Sequence, residues 1–385
     1  MKAVRTPLLA GRFADLRGRG ARSNRESRFD AAVHEIDPEY LEQQRIASGA
    51  APDPQTESLA SFFPAAAVQT IRTTVSREHA RSIISRNQSP DIPFDRSVNP
   101  YRGCEHGCVY CYARPTHAYL GLSPGLDFET RLYAKENAAE LLERELRKPG
   151  YRPAPLALGA NTDPYQPIEK DLRITRAVLE VLSRFRHPVL ITTKSALVLR
   201  DLDILQEMAQ QDLVQVMISV GTLDRSIART LEPRASTPAL RLEAMRNLSQ
   251  AGIPCGVIVA PVIPALTDSH LESVLEAAAG AGASLASYVV LRLPLEVRDL
   301  FVEWLEEFAP LRAEHVMNQV RELREGKDND AAFGRRMSGT GVLAQLLHQR
   351  FQLACRRLGL ARERALPDAR RFAVPEDEEA QQSLF

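Results

Sequence analysis

The stretch Asn99-Pro-Tyr-Arg-Gly-Cys104-Glu-His-Gly-Cys108-Val-Tyr-Cys111-Tyr112 decides how the rest of the chain is read. It holds three of the five cysteines, spaced C-x3-C-x2-C. Three thiolates on one loop can hold three irons of a four-iron, four-sulfur cluster. One iron is then left open, and an open coordination position is where a metal does chemistry. Gly103 and Gly107 let the backbone wrap closely round such a core. The other reading is a structural zinc loop. Zinc sites usually take four ligands, often as two separated pairs. Cys255 and Cys355 are distant and solitary, but His106 and His117 could complete such a site.

The chain has 385 residues, enough for one large α/β domain with appendages. It carries 49 Lys+Arg and 49 Asp+Glu, so no global field draws it to nucleic acid, and any such contact must come from local patches. No apolar run is long enough to cross a bilayer, so no membrane association is expected. The N-terminus, Met1-Lys-Ala-Val-Arg-Thr-Pro, lacks the apolar core of a signal peptide. Five cysteines in a chain of this size argue against a disulfide scaffold. The expectation is a soluble, cytoplasmic protein in a reducing compartment.

Working outward from the cysteines, residues 1–60 read as a largely disordered Arg/Gly-rich arm. Arg12–Arg28 either grips phosphates or is a solvated tail; 38–48 suggests a short helix and 50–55 a linker. Residues 61–96 lead into the loop. Apolar strand-like runs are expected near 96–101, 155–160, 188–193, 214–220, 256–262 and 286–292. They alternate with amphipathic helices at 135–147, 171–185, 201–210, 237–250 and 268–280. Asp201 and Ser236 are plausible N-caps. This is about six βα repeats, implying a parallel sheet with helices outside, curled by right-handed crossovers. The fold class expected is α/β, a partial (β/α)6 TIM-type barrel over 97–295. Chemistry would sit at the C-terminal strand ends. A helical extension (296–365, with 297–322 expected to be helical) and a flexible charged tail (366–385) follow. Phe333–Gly341 reads as a basic, Gly-rich loop.

The cysteine spacing resembles the signature of the radical S-adenosylmethionine (SAM) superfamily. The resemblance implies a [4Fe-4S] cluster on Cys104, Cys108 and Cys111, with SAM chelated at the open iron and cleaved to a 5′-deoxyadenosyl radical. It also implies a six-repeat partial barrel and an electron donor such as flavodoxin or ferredoxin.

The strand ends together are similar to spore photoproduct lyase and its DNA-repair-photolyase-like group. The matching segments are Cys108-Val-Tyr-Cys-Tyr112, Asn161-Thr-Asp163, Thr192-Thr-Lys194, Ile218-Ser219, Leu231-Glu-Pro233 with Arg241, and Gly256-Val-Ile-Val-Ala-Pro261. The resemblance implies that Tyr110 lies against the adenine of SAM, that Thr162 contacts SAM and that Lys194 meets its carboxylate. Ser219 would bond the ribose or carboxylate, and Val257–Pro261 would flank the adenine. Arg241 is a further carboxylate-clamp candidate, Asp163 a residue that caps or positions its loop, and Glu232 with Arg234 a candidate ion pair. Each also has a plainer reading: packed aromatic, turn residue or solvated helix face.

Two positions bear on the reaction. The lyase's hydrogen-relaying tyrosine has its match in Tyr112, while its donor cysteine is replaced here by Ala160, which has no transferable S–H. Neither Cys255 nor Cys355 is an evident substitute; each reads as a packed, buried group. The expected activity is therefore SAM cleavage followed by hydrogen abstraction, with a nucleic-acid lesion or modified base as substrate. DNA or RNA would then dock on Arg335-Arg336 and Arg356-Arg357, its base flipped into the barrel. A protein or small-molecule substrate, or a non-catalytic metal-binding module, are the alternatives.

Overall fold

The computed structural model describes residues 18–25, 28–29, 71–362 and 366–376. The helix expected at 38–48 and the linker at 50–55 lie outside them. Ten strands among the described residues form two sheets: β1 (Thr74–Arg77), β2 (Ile84–Arg86), β3 (Arg96–Val98), β4 (Tyr101–Arg102), β5 (Arg131–Ala134), β6 (Leu156–Leu158), β7 (Val189–Thr193), β8 (Val214–Ser219), β9 (Cys255–Val262) and β10 (Leu285–Val290).

The larger sheet runs β10-β9-β8-β7-β6-β3-β2. From β3 to β10 every neighbouring pair is parallel, and only β2 runs antiparallel, at the edge. These are the six repeats expected from the alternating pattern. The strands are mostly buried on both faces, which is why they read as continuous apolar runs rather than alternating ones. Helices Ile174–Arg184, Leu202–Gln210, Pro238–Gln250 and Leu271–Gly280 cross between successive strands and bury one apolar stripe each. Among the described residues no ladder joins β10 back to β2, so the sheet is a partial barrel.

A second sheet was not visible in the sequence. β5 pairs parallel with β1 and antiparallel with β4. Because β4 lies inside the cysteine stretch, this sheet fixes where that loop enters. Cys104 N–H then donates to Phe128 O at 2.9 Å.

Three local expectations change. The helical stretch expected over 297–322 is divided into Val297–Phe308 and Ala313–Glu322 at Ala309-Pro310, because proline cannot donate to the preceding turn. Thr237, not Ser236, caps the Pro238–Gln250 helix, accepting from Leu240 N–H at 3.4 Å; the Ser236 hydroxyl instead accepts from Ala196 N–H at 2.9 Å. Asp201 makes no cap bond, because its carboxylate is held by Arg176 (3.1 Å) and Arg200 (2.8 Å).

The main core lies between the six-stranded parallel face and its helices. A second apolar cluster gathers Val109 of the cysteine loop, Ala21, Leu126, Leu231 and the Val297–Phe308 helix around Trp304.

Candidate functional site

All six strands point the same way, so their C-terminal ends share one edge. The cysteine loop follows β3, Ala160–Asp163 follow β6, Lys194 follows β7, Ser219 ends β8, and Arg292 follows β10.

Cys104, Cys108 and Cys111 are free; the first two are buried and the third partly so. Burial pushes the Cys108 thiol up to about 12, with Lys194 and Arg241 opposing it; burial likewise raises Cys104. A thiol held that high stays protonated until a metal replaces its proton. Among the described residues no three His, Cys, Asp or Glu side chains converge tightly enough for one ion. A four-iron cluster asks for less convergence, since each thiolate binds a different iron. His106 Nδ1 lies 3.3 Å from Asp163 and His117 Nε2 lies 2.9 Å from Arg131 O, which leaves one nitrogen on each ring, but neither ring converges with two of the thiols on a single ion position. The donor set fits the cluster.

Gly103 (φ 76°) and Gly107 (φ 66°) adopt the left-handed region. Their close approach is to protein. A Cβ on Gly103 would lie 2.6 Å from Leu132, and one on Gly107 2.8 Å from the Glu129 carboxylate.

The loop is held at several points. Thr162 donates to Gly103 O at 2.8 Å, and Gln166 bridges Thr162 and the loop, accepting from Glu105 N–H at 2.9 Å. Asp163 accepts from Thr193 Oγ1 (2.6 Å), Lys194 N–H (2.8 Å) and Tyr165 N–H (2.9 Å). Burial alone would raise its pKa, but His106 and these donors outweigh it and hold the carboxyl at about 2. Asp163 thus joins the cysteine loop, β6 and β7.

On the other flank, Tyr110 donates its hydroxyl to Glu232, and Glu232 also accepts from Arg241. Arg241 is buried and donates further to Ser219 O (2.9 Å) and Ser236 O (2.7 Å). Its donors are thus committed to Glu232 and two backbone carbonyls within the fold. The expected Glu232–Arg234 pair is replaced by two others, Glu232–Arg241 and Arg234–Glu105 (3.0 Å). Burial raises Glu232's pKa, but Arg241 and Lys194 outweigh it and keep it low. Ser219 Oγ donates to Ala260 O at 3.2 Å.

Lys194 is different. Among the described residues it makes no ion pair, and its Nζ sits 5.9 Å from the centre of the Tyr110 ring. Burial opposes its charge, but Cys108 in its thiolate form and the Glu232 carboxylate outweigh that and hold its pKa above normal. A cation kept charged beside the cysteine loop suits an incoming carboxylate. Tyr112, 48 % exposed, donates its hydroxyl to Ala160 O, and the Arg292 guanidinium lies 5.3 Å above its ring.

The N-terminal stretch supplies what the sequence reading missed. Glu129, fully buried, accepts from Gly20 N–H (3.0 Å), Ala21 N–H (2.8 Å) and the buried Arg114. Gly20 is pressed onto the loop, where a Cβ would lie 1.7 Å from Gly107 O. Arg22, Arg25 and Arg28 then pair with Glu307 (3.0 Å), Glu303 and Glu296 (2.9 Å) along one helix. The described part of the Arg/Gly arm is a strap across the cysteine loop: Arg19 donates to the carbonyls of Glu129 (2.9 Å) and Ile71 (2.7 Å), and Arg22, Arg25 and Arg28 meet carboxylates. Arg335, Arg336 and Arg357 are likewise paired, with Glu325 (2.8 Å), Asp91 (2.5 Å) and Glu276. The every-third-residue spacing of Arg19, Arg22, Arg25 and Arg28 was the available signal.

A family model for the radical SAM superfamily matches residues 98–278. An uncharacterized protein of Mycobacterium tuberculosis is 41 % identical over 234 residues, covering 60 % of this chain and 68 % of that protein. One of Methanocaldococcus jannaschii is 29 % identical over 171 residues, 44 % of this chain and 61 % of that protein. The fold is similar to that of a spore photoproduct lyase variant with bound SAM and dinucleoside spore photoproduct. Its TM-score is 0.53 at 14 % identity, covering 84 % of this chain and 92 % of that one. The chain belongs to the radical SAM superfamily, whose cofactors are a [4Fe-4S] cluster and SAM.

Proposed function

We propose that this protein is a radical SAM enzyme that abstracts hydrogen from a nucleic-acid lesion or modified base. The observation that carries it is the placing of three free thiols, Lys194 and Tyr112 at one edge of six parallel strands. Cys104, Cys108 and Cys111 would each hold one iron. The cluster they would hold would supply the electron for reductive cleavage of SAM.

The chain's own residues then have separable tasks. Lys194 receives the SAM carboxylate as a charge-assisted pair. Tyr110, fixed by Glu232, presents its ring to the adenine, with the Val257–Pro261 backbone alongside. Arg241 holds Glu232 and the Ser219 carbonyl in place, so it acts through them. Thr162 and Asp163 position the loop and the β7 end. Tyr112, next to a cluster ligand, passes a hydrogen atom to or from the substrate. Ala160 offers no thiol, so the quenching step differs from the lyase's. Reduced flavodoxin or ferredoxin supplies the electron, and the reducing cytoplasm keeps the thiols available.

The test is anaerobic reconstitution with iron and sulfide, then reduction with SAM and damaged or undamaged oligonucleotides. Acid-labile sulfide, 5′-deoxyadenosine and altered base are measured, with Cys108→Ala as control. Wild type and control alike giving no 5′-deoxyadenosine would end this reading. One zinc and no sulfide would replace it with a metal-binding module.

A further inference from the structure

Most arginines at the strand-end edge are matched. Arg241 has Glu232, Arg234 has Glu105, and Arg336 has Asp91. Arg324 donates to the carbonyls of Leu291 and Arg335, both at 2.9 Å. Arg292 is the exception. It lies just past β10, half-buried, and among the described residues no carboxylate reaches ion-pair distance. Its Nε–H is buried without a hydrogen-bond partner. Among the described residues its Nη1 meets only the Met337 thioether, at 3.8 Å, a weak acceptor. A guanidinium withdrawn from water without a carbonyl or carboxylate is costly, so a native fold keeps one where a ligand completes it.

What surrounds it defines the ligand. The guanidinium is stacked on Tyr112, whose hydroxyl reaches Ala160 at the end of β6. Arg336 approaches closely enough to depress the Arg292 pKa, after burial. Arg336 is itself stacked at 4.7 Å on Phe333, which is 55 % exposed. Two exposed rings backed by arginines, beside one vacant planar donor fork, match a base-bearing phosphodiester: the fork takes two phosphate oxygens and the rings take bases.

We propose that Arg292 is the substrate's anion subsite, taking one phosphodiester of a single-stranded segment and setting the adjoining base beside Tyr112. This rests on the radical SAM reading above and names its substrate contact.

Binding of a labelled short oligothymidylate to the reconstituted, SAM-bound enzyme is measured by anisotropy for wild type, Arg292→Gln, Arg292→Lys and Arg81→Gln. Arg81 is exposed beside the outer Ala138–Leu146 helix, so it controls for net charge. Thermal melts check folding. The expected result is a loss of about tenfold or more for Arg292→Gln and a smaller one for Arg292→Lys, which keeps the charge without the fork. Arg81→Gln should bind as wild type. Equal affinity in all four, or equal loss in Arg81→Gln and Arg292→Gln, overturns the subsite. Should Arg292→Gln misfold, Arg292→Lys binding as wild type overturns it as well. Arg292-dependent binding of an acidic peptide in place of the oligothymidylate overturns the ligand class. 5′-Deoxyadenosine formation by the wild type, measured separately, tests the underlying reading.

Discussion

The hydroxyl of Tyr112 donates to the backbone carbonyl of Ala160, so the residue after the last cysteine of the loop is tied to the end of β6. This bond fixes the phenol at the C-terminal end of β6. Changing Tyr112 to Phe removes the hydroxyl with little effect on packing, because the ring is 48 % exposed. The stability loss should stay near ~1 kcal/mol. The ratio of 5′-deoxyadenosine to product should rise at least about tenfold, since a relay lost after SAM cleavage affects turnover more than cleavage. An unchanged ratio, read by chromatography of both species, would remove Tyr112 from the reaction.

Lys194 and Arg241 should separate cleanly. Lys194 has no ion pair among the described residues, whereas Arg241 is buried against Glu232 and two carbonyls. Lys194→Met should weaken SAM binding by roughly tenfold or more, the worth of a charge-assisted bond, at unchanged iron content. Arg241→Met should unfold the protein more easily by about 3–5 kcal/mol, because it strands a buried carboxylate. Calorimetric SAM titration and urea unfolding decide; the reverse pattern would exchange the two assignments.

The strap should depend on Gly20 and Glu129. A side chain at Gly20 collides with Gly107 O, 1.7 Å from its Cβ. Glu129→Gln leaves Arg114 buried without its counter-charge, at a cost of about 3–5 kcal/mol. Gly20→Ala should free the strap without unfolding the barrel, seen as faster tryptic cleavage at Arg19 or Arg22 and reduced iron retention. Cleavage at the wild-type rate would show that the contact contributes little.

Asp163 sets an acid limit. Its carboxyl titrates at about 2 in the fold against an ordinary 3.8. A depressed folded value stabilises above the unfolded pKa and is lost as pH falls from about 4 through about 2, amounting to roughly 2 kcal/mol. Urea unfolding of the metal-free protein across that range should show the loss, and Asp163→Asn should flatten that part of the curve. Parallel curves for both would mean that His106 and Thr193 do not hold the charge.

Much of the architecture could be read in advance for a local reason. Each strand is a short apolar run, each helix a striped one, and three of the five cysteines lie within eight consecutive positions. Their periods and spacings are complete within about twenty residues. The second sheet was not readable, because β1 and β5 pair across more than fifty residues and β4 is two residues long. The burial of Arg241 against Glu232 was not readable either, because the sequence does not show which carboxylate a helix arginine meets.

The sequence by itself determined the cysteine trio, the six βα repeats and the strand ends at which Lys194, Ser219 and Tyr112 stand, since these follow from local spacing and from parallel strands sharing one edge. Only the tertiary structure decided which charges are paired and which are not. It set Arg19 and Glu129, 110 residues apart, together in the strap, gave Glu232 to Arg241, and left Arg292 over Tyr112 with no carboxylate partner among the described residues. Electrostatic partnership depends on distance in space and on exclusion of water, and neither is written in the order of residues along a chain.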